Sequence, residues 1–319
     1  MQDLKTQDML SAKKKEFFPV MLTPFKDNGE IDFKGLSELT EFYLKSGASG
    51  LFSNCLSSEM FELTEQERLR IVKHVVNVTG GAVRVVASGT FGGKIQAQAD
   101  FVKKIYETGA DAVIVIVNML AGQDEPDEVF NDNMSELLDL TYQIPLGFYE
   151  CPVPYKRFIS PEQLKLFAGT KRIIYLKDTC PDTEQVKQKL KAGADSGFGL
   201  YVAHMGHAVA SLKAGASGLS CIQGNYWPEL IVWLCDNFDN ASLAGEVDKV
   251  QQFLIDNMEV MHKTYPAAAK YCLQKRGLHL SIFTRQKDGE FTGVTRSGME
   301  KLLSDYKKLL NDLQIGLLF

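Results

Sequence analysis

The sequence predicts a (β/α)8 barrel, an α/β fold of the TIM-barrel type, with extra helices at its C-terminal end. Three observations predict it. A Gly-Ala signature recurs three times, as Ser46-Gly47-Ala48-Ser49-Gly50-Leu51-Phe52, Thr108-Gly109-Ala110-Asp111-Ala112-Val113-Ile114 and Ala214-Gly215-Ala216-Ser217-Gly218-Leu219-Ser220. Eight short apolar runs alternate with segments of helical spacing, and beyond about residue 225 the strand signal stops while helical spacing continues. In the signature, a glycine supplies the left-handed conformation that ends a helix, and the apolar run after it suits a strand buried on both faces.

Taken in order, the strands fall near 18–22, 50–53, 83–88, 112–117, 145–149, 173–177, 197–202 and 217–221. The helix after the second strand opens with Thr64-Glu65-Gln66-Glu67, a capping box whose two ends satisfy each other. The helix after the fifth opens with Ser160-Pro161-Glu162-Gln163, a cap with proline at the first helical position. Strands that alternate with helices are parallel and joined by crossovers, and eight such units close into a barrel. An open doubly wound sheet is the rival, but no GxGxxG follows the first strand. The barrel core is assigned to 1–225. The segment 226–319 is assigned to the last barrel helix and an extension of the same domain, with helices at 227–239, roughly 242–263, 266–276 and 297–314. Gly277 and the turn Asp288-Gly289 punctuate it, and no flexible linker precedes it.

Composition narrows the function classes. Hydrophobic residues make up 45% and charged residues 24%, the balance of a soluble globular chain. A net charge of −5 offers no footprint for nucleic acid, and Lys13-Lys14-Lys15, followed at once by Glu16, reads as a solvated arm. No run of 18 or more apolar residues spans a bilayer, and Met1-Gln2-Asp3-Leu4-Lys5 lacks a signal-peptide layout. The six cysteines (55, 151, 180, 221, 235 and 272) are scattered without CxxC or zinc spacing. The expectation is a reduced, cytoplasmic protein with free thiols and neither a metal nor a cofactor.

In a barrel, chemistry sits at the carboxyl ends of the strands. That rule selects Cys55 to Glu59 after the second strand, Tyr149-Glu150-Cys151-Pro152 at the fifth, Lys177-Asp178-Thr179 at the sixth, His204 and His207 after the seventh, and Cys221 and Gln223 after the eighth. Lys177 is the sharpest candidate. A lysine ending an apolar strand loses hydration, keeps more neutral amine, and can add to a ketone to form an iminium electron sink. The ordinary alternative is a lysine that pairs with Asp178 or reaches the rim; position alone leaves both open. Tyr149 could move protons beside that amine, or be an aromatic whose hydroxyl is satisfied at the barrel mouth. Ser57 and Ser58, with loop amides ahead of the helix capped at Thr64, could hold a carboxylate, although serine-rich loops are common. His204 and His207 lack a third ligand for a metal; one of them lining a substrate pocket and a satisfied histidine are equally open.

At these residues the sequence resembles the family of dihydrodipicolinate synthase and N-acetylneuraminate lyase, the pyruvate-type class I aldolases. The resemblance runs from about Phe18 to the C-terminus. It rests on Phe18-Pro19-Val20-Met21-Leu22-Thr23-Pro24-Phe25 with Asn28-Gly29-Glu30-Ile31-Asp32, on Tyr149-Glu150-Cys151-Pro152, similar to a Tyr-Asn-x-Pro motif, and on Ile174-Tyr175-Leu176-Lys177-Asp178-Thr179, similar to the strand bearing a Schiff-base lysine. It implies that Lys177 forms an imine with a 2-oxo acid and that Tyr149 moves protons. It also implies that Ser57 and Ser58 hold the carboxylate and that Thr179 contacts the distal part of the substrate. His204 and Ser220 complete the expected substrate-binding set.

The departures bear on the substrate. Cys55-Leu56-Ser57-Ser58-Glu59 stands where the family has Gly-Thr-Thr-Gly-Glu, so both glycines are gone and Leu56 replaces a hydroxyl residue. Met119 and Leu120 occupy the region of a tyrosine that the synthases extend into a neighbouring subunit. Pro154 aligns with their substrate-binding arginine, for which Lys156 or Arg157 could substitute only in a rearranged loop. Ala203-His204-Met205 replaces Gly-Asp-Asp. The expectation is therefore a lyase or aldolase acting on a 2-oxo acid such as a sugar acid, with an aldehyde partner and a homodimeric or homotetrameric assembly. Dihydrodipicolinate synthase itself is the alternative, and a non-catalytic binding barrel the further one.

Overall fold

The computed structural model describes residues 14–287 and 291–314. Eight parallel strands run β1 (Glu16–Phe17), β2 (Gly50–Ser53), β3 (Arg84–Ser88), β4 (Ala112–Ile116), β5 (Leu146–Tyr149), β6 (Ile173–Asp178), β7 (Gly199–Val202) and β8 (Gly218–Leu219). Each pairs with the next from β2 to β8, and β8 pairs with β1. The ring closes between β1 and β2, where Met21 N–H donates to Phe52 O (2.9 Å) and Phe52 N–H to Pro19 O (3.0 Å). The first strand thus differs from the expected 18–22. Its regular ladder is Glu16–Phe17, and the downstream part survives as a single bridge from Val20 to Phe52. Two prolines, Pro19 and Pro24, carry no N–H and interrupt the ladder there.

Outside the barrel lie α1 (Phe33–Lys45), α2 (Glu65–Thr79), α3 (Ile95–Glu107), α4 (Asp127–Leu140), α5 (Pro161–Ala168), α6 (Thr183–Ala192), α7 (Ala208–Lys213) and α8 (Pro228–Asn237). Both capping boxes form, Thr64 with Glu67 and Ser160 with Gln163. The three signature glycines end their helices at positive φ: Gly47 at 90°, Gly109 at 97° and Gly215 at 109°. Their N–H groups donate to Leu44 O, Tyr106 O and Leu212 O, so the repeat is a repeated helix stop. Inside the barrel, Phe18 packs on Tyr175 and Tyr201, whose rings stack at 4.5 Å. Gly50 makes room for that layer: a Cβ there would stand 2.1 Å from the Phe18 ring.

The C-terminal extension comprises α9 (Ala244–Asp256), α10 (Met258–His262), α11 (Ala267–Lys275) and α12 (Gly293–Leu313). The expected helix over 242–263 is divided at Asn257, and α12 begins four residues earlier than expected because Thr292 caps it. The turn Asp288-Gly289 lies outside the described residues, as do Met1–Lys5 and Lys13. Lys15 is held rather than free, donating to Ala216 O at 2.7 Å.

Buried charge fastens the extension to the barrel mouth. The Glu59 carboxylate, wholly buried, accepts from Lys270 Nζ (2.8 Å), Arg285 N–H (2.6 Å) and Gln286 N–H (2.9 Å). Arg285 then grips Glu67 through both terminal nitrogens (2.8 and 2.6 Å), while Arg276 bonds to Glu229 (2.7 Å). Among the described residues no helix is long and apolar enough to cross a membrane, and all six cysteines are buried and free.

Candidate active site

Strand parity decides which side chains reach the cavity. Tyr149 and Lys177 are opposed in the β5–β6 ladder and both point into the barrel, while the next residues, Glu150 and Asp178, point outward beneath the helices. The cavity above Lys177 has a volume of about 390 Å³. The groups that matter in its wall are Ser57, Tyr149, Lys156, Lys177, Thr179, His204, His262 and Tyr265.

Lys177 is 4% exposed, and its Nζ lies 4.3 Å from the centre of the Tyr149 ring and 5.8 Å from that of Phe52. Among the described residues no carboxylate lies within salt-bridge distance of it. Burial holds its pKa below the ordinary lysine value, and the Cys55, Cys151 and Cys221 thiols oppose that only in part. The pairing of Lys177 with Asp178 left open by the sequence does not occur. Asp178 instead bonds to Lys189 of α6 (2.7 Å) and to the Cys180 N–H (2.9 Å).

Lys189 also donates to Glu150, so one buried ammonium holds the residues that follow Tyr149 and Lys177. Glu150 Oε2 accepts from Thr179 N–H (3.0 Å) and Glu150 O from the Thr179 hydroxyl (2.7 Å). Burial first, and Asp178 second, push the Glu150 carboxyl upward, and the same two carboxylates hold Lys189 charged. The two shifts pull against each other, since one disfavours the ion pair and the other favours it. Geometry favours ionised Glu150, because both of its oxygens accept N–H bonds.

Five of the seven site residues expected from sequence meet in this cavity: Lys177, Tyr149, Ser57, Thr179 and His204. Two do not. The Ser58 hydroxyl donates to Met21 O at 2.6 Å and its N–H to Cys55 O at 2.9 Å, so both donors are spent in the turn. Ser220 lies deeper in the barrel, receiving the Tyr175 hydroxyl at 3.0 Å. His207 is a satisfied histidine, bonded to Ser211 and to Cys180 O (both 2.8 Å). His204 stacks on it at 5.0 Å with its own Nδ1 buried and unpartnered among the described residues, and burial lowers its pKa. Around this turn two non-glycine residues stand at positive φ, Asn54 (52°) and Glu59 (57°), while neither Cys55 nor Ser58, at the positions of the lost glycines, does.

Sequence reasoning missed Tyr265, His262 and Lys189. Tyr265 stands in Thr264-Tyr265-Pro266, between α10 and α11, and its only signal was the gap between two helical stretches. Arg157 turns away from the cavity to Asp127 (2.7 Å) and the carbonyls of Gly122 and Glu125, whereas Lys156 lines it. Among the described residues no group of three or more His, Cys, Asp or Glu is placed to share a metal ion.

Comparison with known proteins agrees with this architecture. The profile of the Dihydrodipicolinate synthetase family matches residues 13–305. A curated 4-hydroxy-tetrahydrodipicolinate synthase from Ruegeria pomeroyi is 28% identical over 269 residues, covering 82% of this chain and 88% of that protein. Its counterpart from Oceanobacillus iheyensis is 24% identical over 293 residues, covering 90% and 95%. Among solved structures, YagE, a prophage protein of the dihydrodipicolinic acid synthase family from E. coli K12 in complex with pyruvate, superimposes with a TM-score of 0.83 at 20% identity, covering 92% of this chain and 98% of that one. A structure described as the first monomeric dihydrodipicolinate synthase variant gives 0.83 at 20% identity, covering 92% and 97%. At such identities the superpositions establish the fold.

Proposed function

From the premise that the chain belongs to the Dihydrodipicolinate synthetase family, we propose that it is a Schiff-base lyase acting on a 2-oxo acid, with Lys177 as the amine. One observation carries the assignment of the amine: Lys177 is buried, lacks a carboxylate partner among the described residues, and faces a cavity shared with Tyr149 and Ser57. A binding barrel gains nothing from burying an unpaired amine, whose desolvation costs stability. A lyase needs that arrangement, because desolvation is what leaves the amine neutral and nucleophilic.

The steps follow from those groups. The neutral Nζ adds its lone pair to the C2 carbonyl carbon, and the carbonyl oxygen takes up a proton to give a carbinolamine. Loss of that oxygen as water leaves a protonated imine. In the cleavage direction the β-hydroxyl loses its proton, the C3–C4 pair flows into the iminium, and an aldehyde departs. The enamine then takes a proton at C3, and water releases the 2-oxo acid. Tyr149 is the proton carrier of this reading. Burial and the Cys151 and Cys55 thiols keep its phenol well above the usual pKa, so at rest it is a donor rather than a phenolate. Thr179 has already given its hydrogen to Glu150 O, and so it would accept from a substrate hydroxyl.

The alternative, 4-hydroxy-tetrahydrodipicolinate synthase, draws support from one feature. Lys156 brings a cation to the distal wall, beside the imidazole N–H groups of His204 and His262, and suits a carboxylate on the aldehyde partner. The assembly proposed is a homodimer or homotetramer, checked by light scattering. Turnover separates the readings. Purified protein supplied with pyruvate and aspartate semialdehyde, or separately with sugar-derived 2-oxo acids, is assayed for pyruvate consumed or released. Pyruvate loss only with the semialdehyde supports the synthase; pyruvate release from a 2-oxo acid supports the lyase; neither, across the panel, contradicts both.

A further inference from the structure

Counting donors and acceptors around Tyr265 gives its phenol a defined direction. Asn225 is buried, and its Nδ2 donates to Val20 O at 2.8 Å; a carbonyl only accepts, so the amide orientation is fixed. Its Oδ1 correspondingly receives the Tyr43 hydroxyl at 2.5 Å. The same Nδ2 faces Tyr265 Oη at 2.5 Å, so the Tyr265 oxygen accepts from it. The Tyr265 hydrogen must then go elsewhere. Ser57 is the hydroxyl nearest in effect to the same phenol, and both residues line the cavity that holds Lys177. The chain of bonds therefore ends at Tyr265, whose hydrogen has no acceptor among the described residues and is left for the cavity that Tyr265 and Ser57 both line.

The turn after β2 needs such a donor. The Ser58 hydroxyl and N–H are both spent on backbone carbonyls, and Leu56 brings no hydroxyl. A carboxylate accepts hydrogen bonds and donates none, so it matches a pair whose spare hydrogen points outward. We propose that Tyr265 is a binding residue for the substrate carboxylate, donating with Ser57 beside Lys177, and that Asn225 and Tyr43 are positioning residues that fix the direction of its phenol. This rests on the 2-oxo acid reading above and gives the C-terminal extension a role in it: the segment between α10 and α11 supplies in cis what the shortened polar set of the β2 turn lacks. Tyr265 is half-buried, and desolvation of its phenol drives its pKa upward, so it enters the cavity as a phenol with its hydrogen in place.

The test compares pyruvate with pyruvamide, a ketone of the same shape without the negative charge. Borohydride trapping gives the concentration of each at half-maximal labelling of the protein. Wild type is expected to prefer pyruvate. Tyr265→Phe, which removes one oxygen, is expected to raise the half-saturating pyruvate concentration about tenfold or more, while pyruvamide changes less than about twofold. Ser57→Ala gives the same selective loss and serves as the second variant should Tyr265→Phe fail to fold. Equal weakening for both ketones, or no change for either, overturns the proposal and leaves Tyr265 a packing residue. Wild type that traps neither overturns the 2-oxo acid reading, and the proposal with it; the two failures are thereby distinct.

Discussion

Replacing Lys189 with methionine would leave Glu150 and Asp178 facing each other with no cation. Both carboxylates are wholly buried, and Lys189 itself is 1% exposed. Stranding one buried charge costs about 3–5 kcal/mol. Here two like charges are stranded, which places the expected loss at the upper part of that range. Unfolding entropy of ~2.1 cal/mol/K per residue makes this, over 319 residues, a fall in Tm of roughly 6–8 °C. The pH dependence gives a sharper signature. Without Lys189 the main offset to burial and the neighbouring Asp178 is gone, so the folded Glu150 pKa rises further above its unfolded value of about 4. A raised folded pKa gives stability that is full below the unfolded value and is lost as pH rises through the folded one. The difference between Lys189→Met and wild type, measured by urea titration and calorimetry, should therefore be larger at pH 8 than at pH 5. A loss under about 1 kcal/mol, or one independent of pH, would refute the view that Lys189 holds two ionised carboxylates.

Three further outcomes are expected. Lys270→Met strands Glu59 and should cost about 3–5 kcal/mol; it should also expose the 280–287 segment to limited proteolysis, and a wild-type digestion pattern would contradict the clamp. Because burial lowers the Lys177 pKa, the rate of imine formation should rise with pH and level off below the ordinary lysine value of about 10.4; a midpoint at or above that value contradicts a desolvated amine. Tyr149→Phe should slow imine formation at saturating pyruvate by about 10²–10⁴-fold, as read by stopped-flow absorbance, whereas an unchanged rate makes Tyr149 a wall of the cavity only.

The barrel was legible because its signals are local. Each of the three repeated helix stops places a glycine at positive φ, and each strand buried on both faces reads as an unbroken apolar run, so Gly47, Gly109 and Gly215 mark the frame directly. The first strand was the exception, because Pro19 and Pro24 break its ladder while leaving its apolar pattern intact. The position of Lys177 also followed from strand counting. The direction of individual hydroxyls did not: Ser57 and Ser58 are adjacent, and only the turn geometry sends one to the cavity and the other to Met21 O. The acids were half legible, since period two puts Glu150 and Asp178 on the face opposite Tyr149 and Lys177, in a layer where a carboxylate needs a cation. Which lysine answers them was not, because Lys189 sits among Lys187 and Lys191 on α6 and differs from them only by burial. Tyr265 was out of reach for a related reason. It contacts Asn225 across 40 residues, and no short-range pattern encodes that approach.

The central claim is that the Lys177 amine attacks a 2-oxo acid, and peptide mapping after borohydride reduction in the presence of pyruvate tests it most directly. The account predicts a single mass increment of reduced pyruvate on the peptide carrying Lys177, absent in a folded Lys177→Ala protein. An increment on another lysine, or none with any 2-oxo acid, would contradict it.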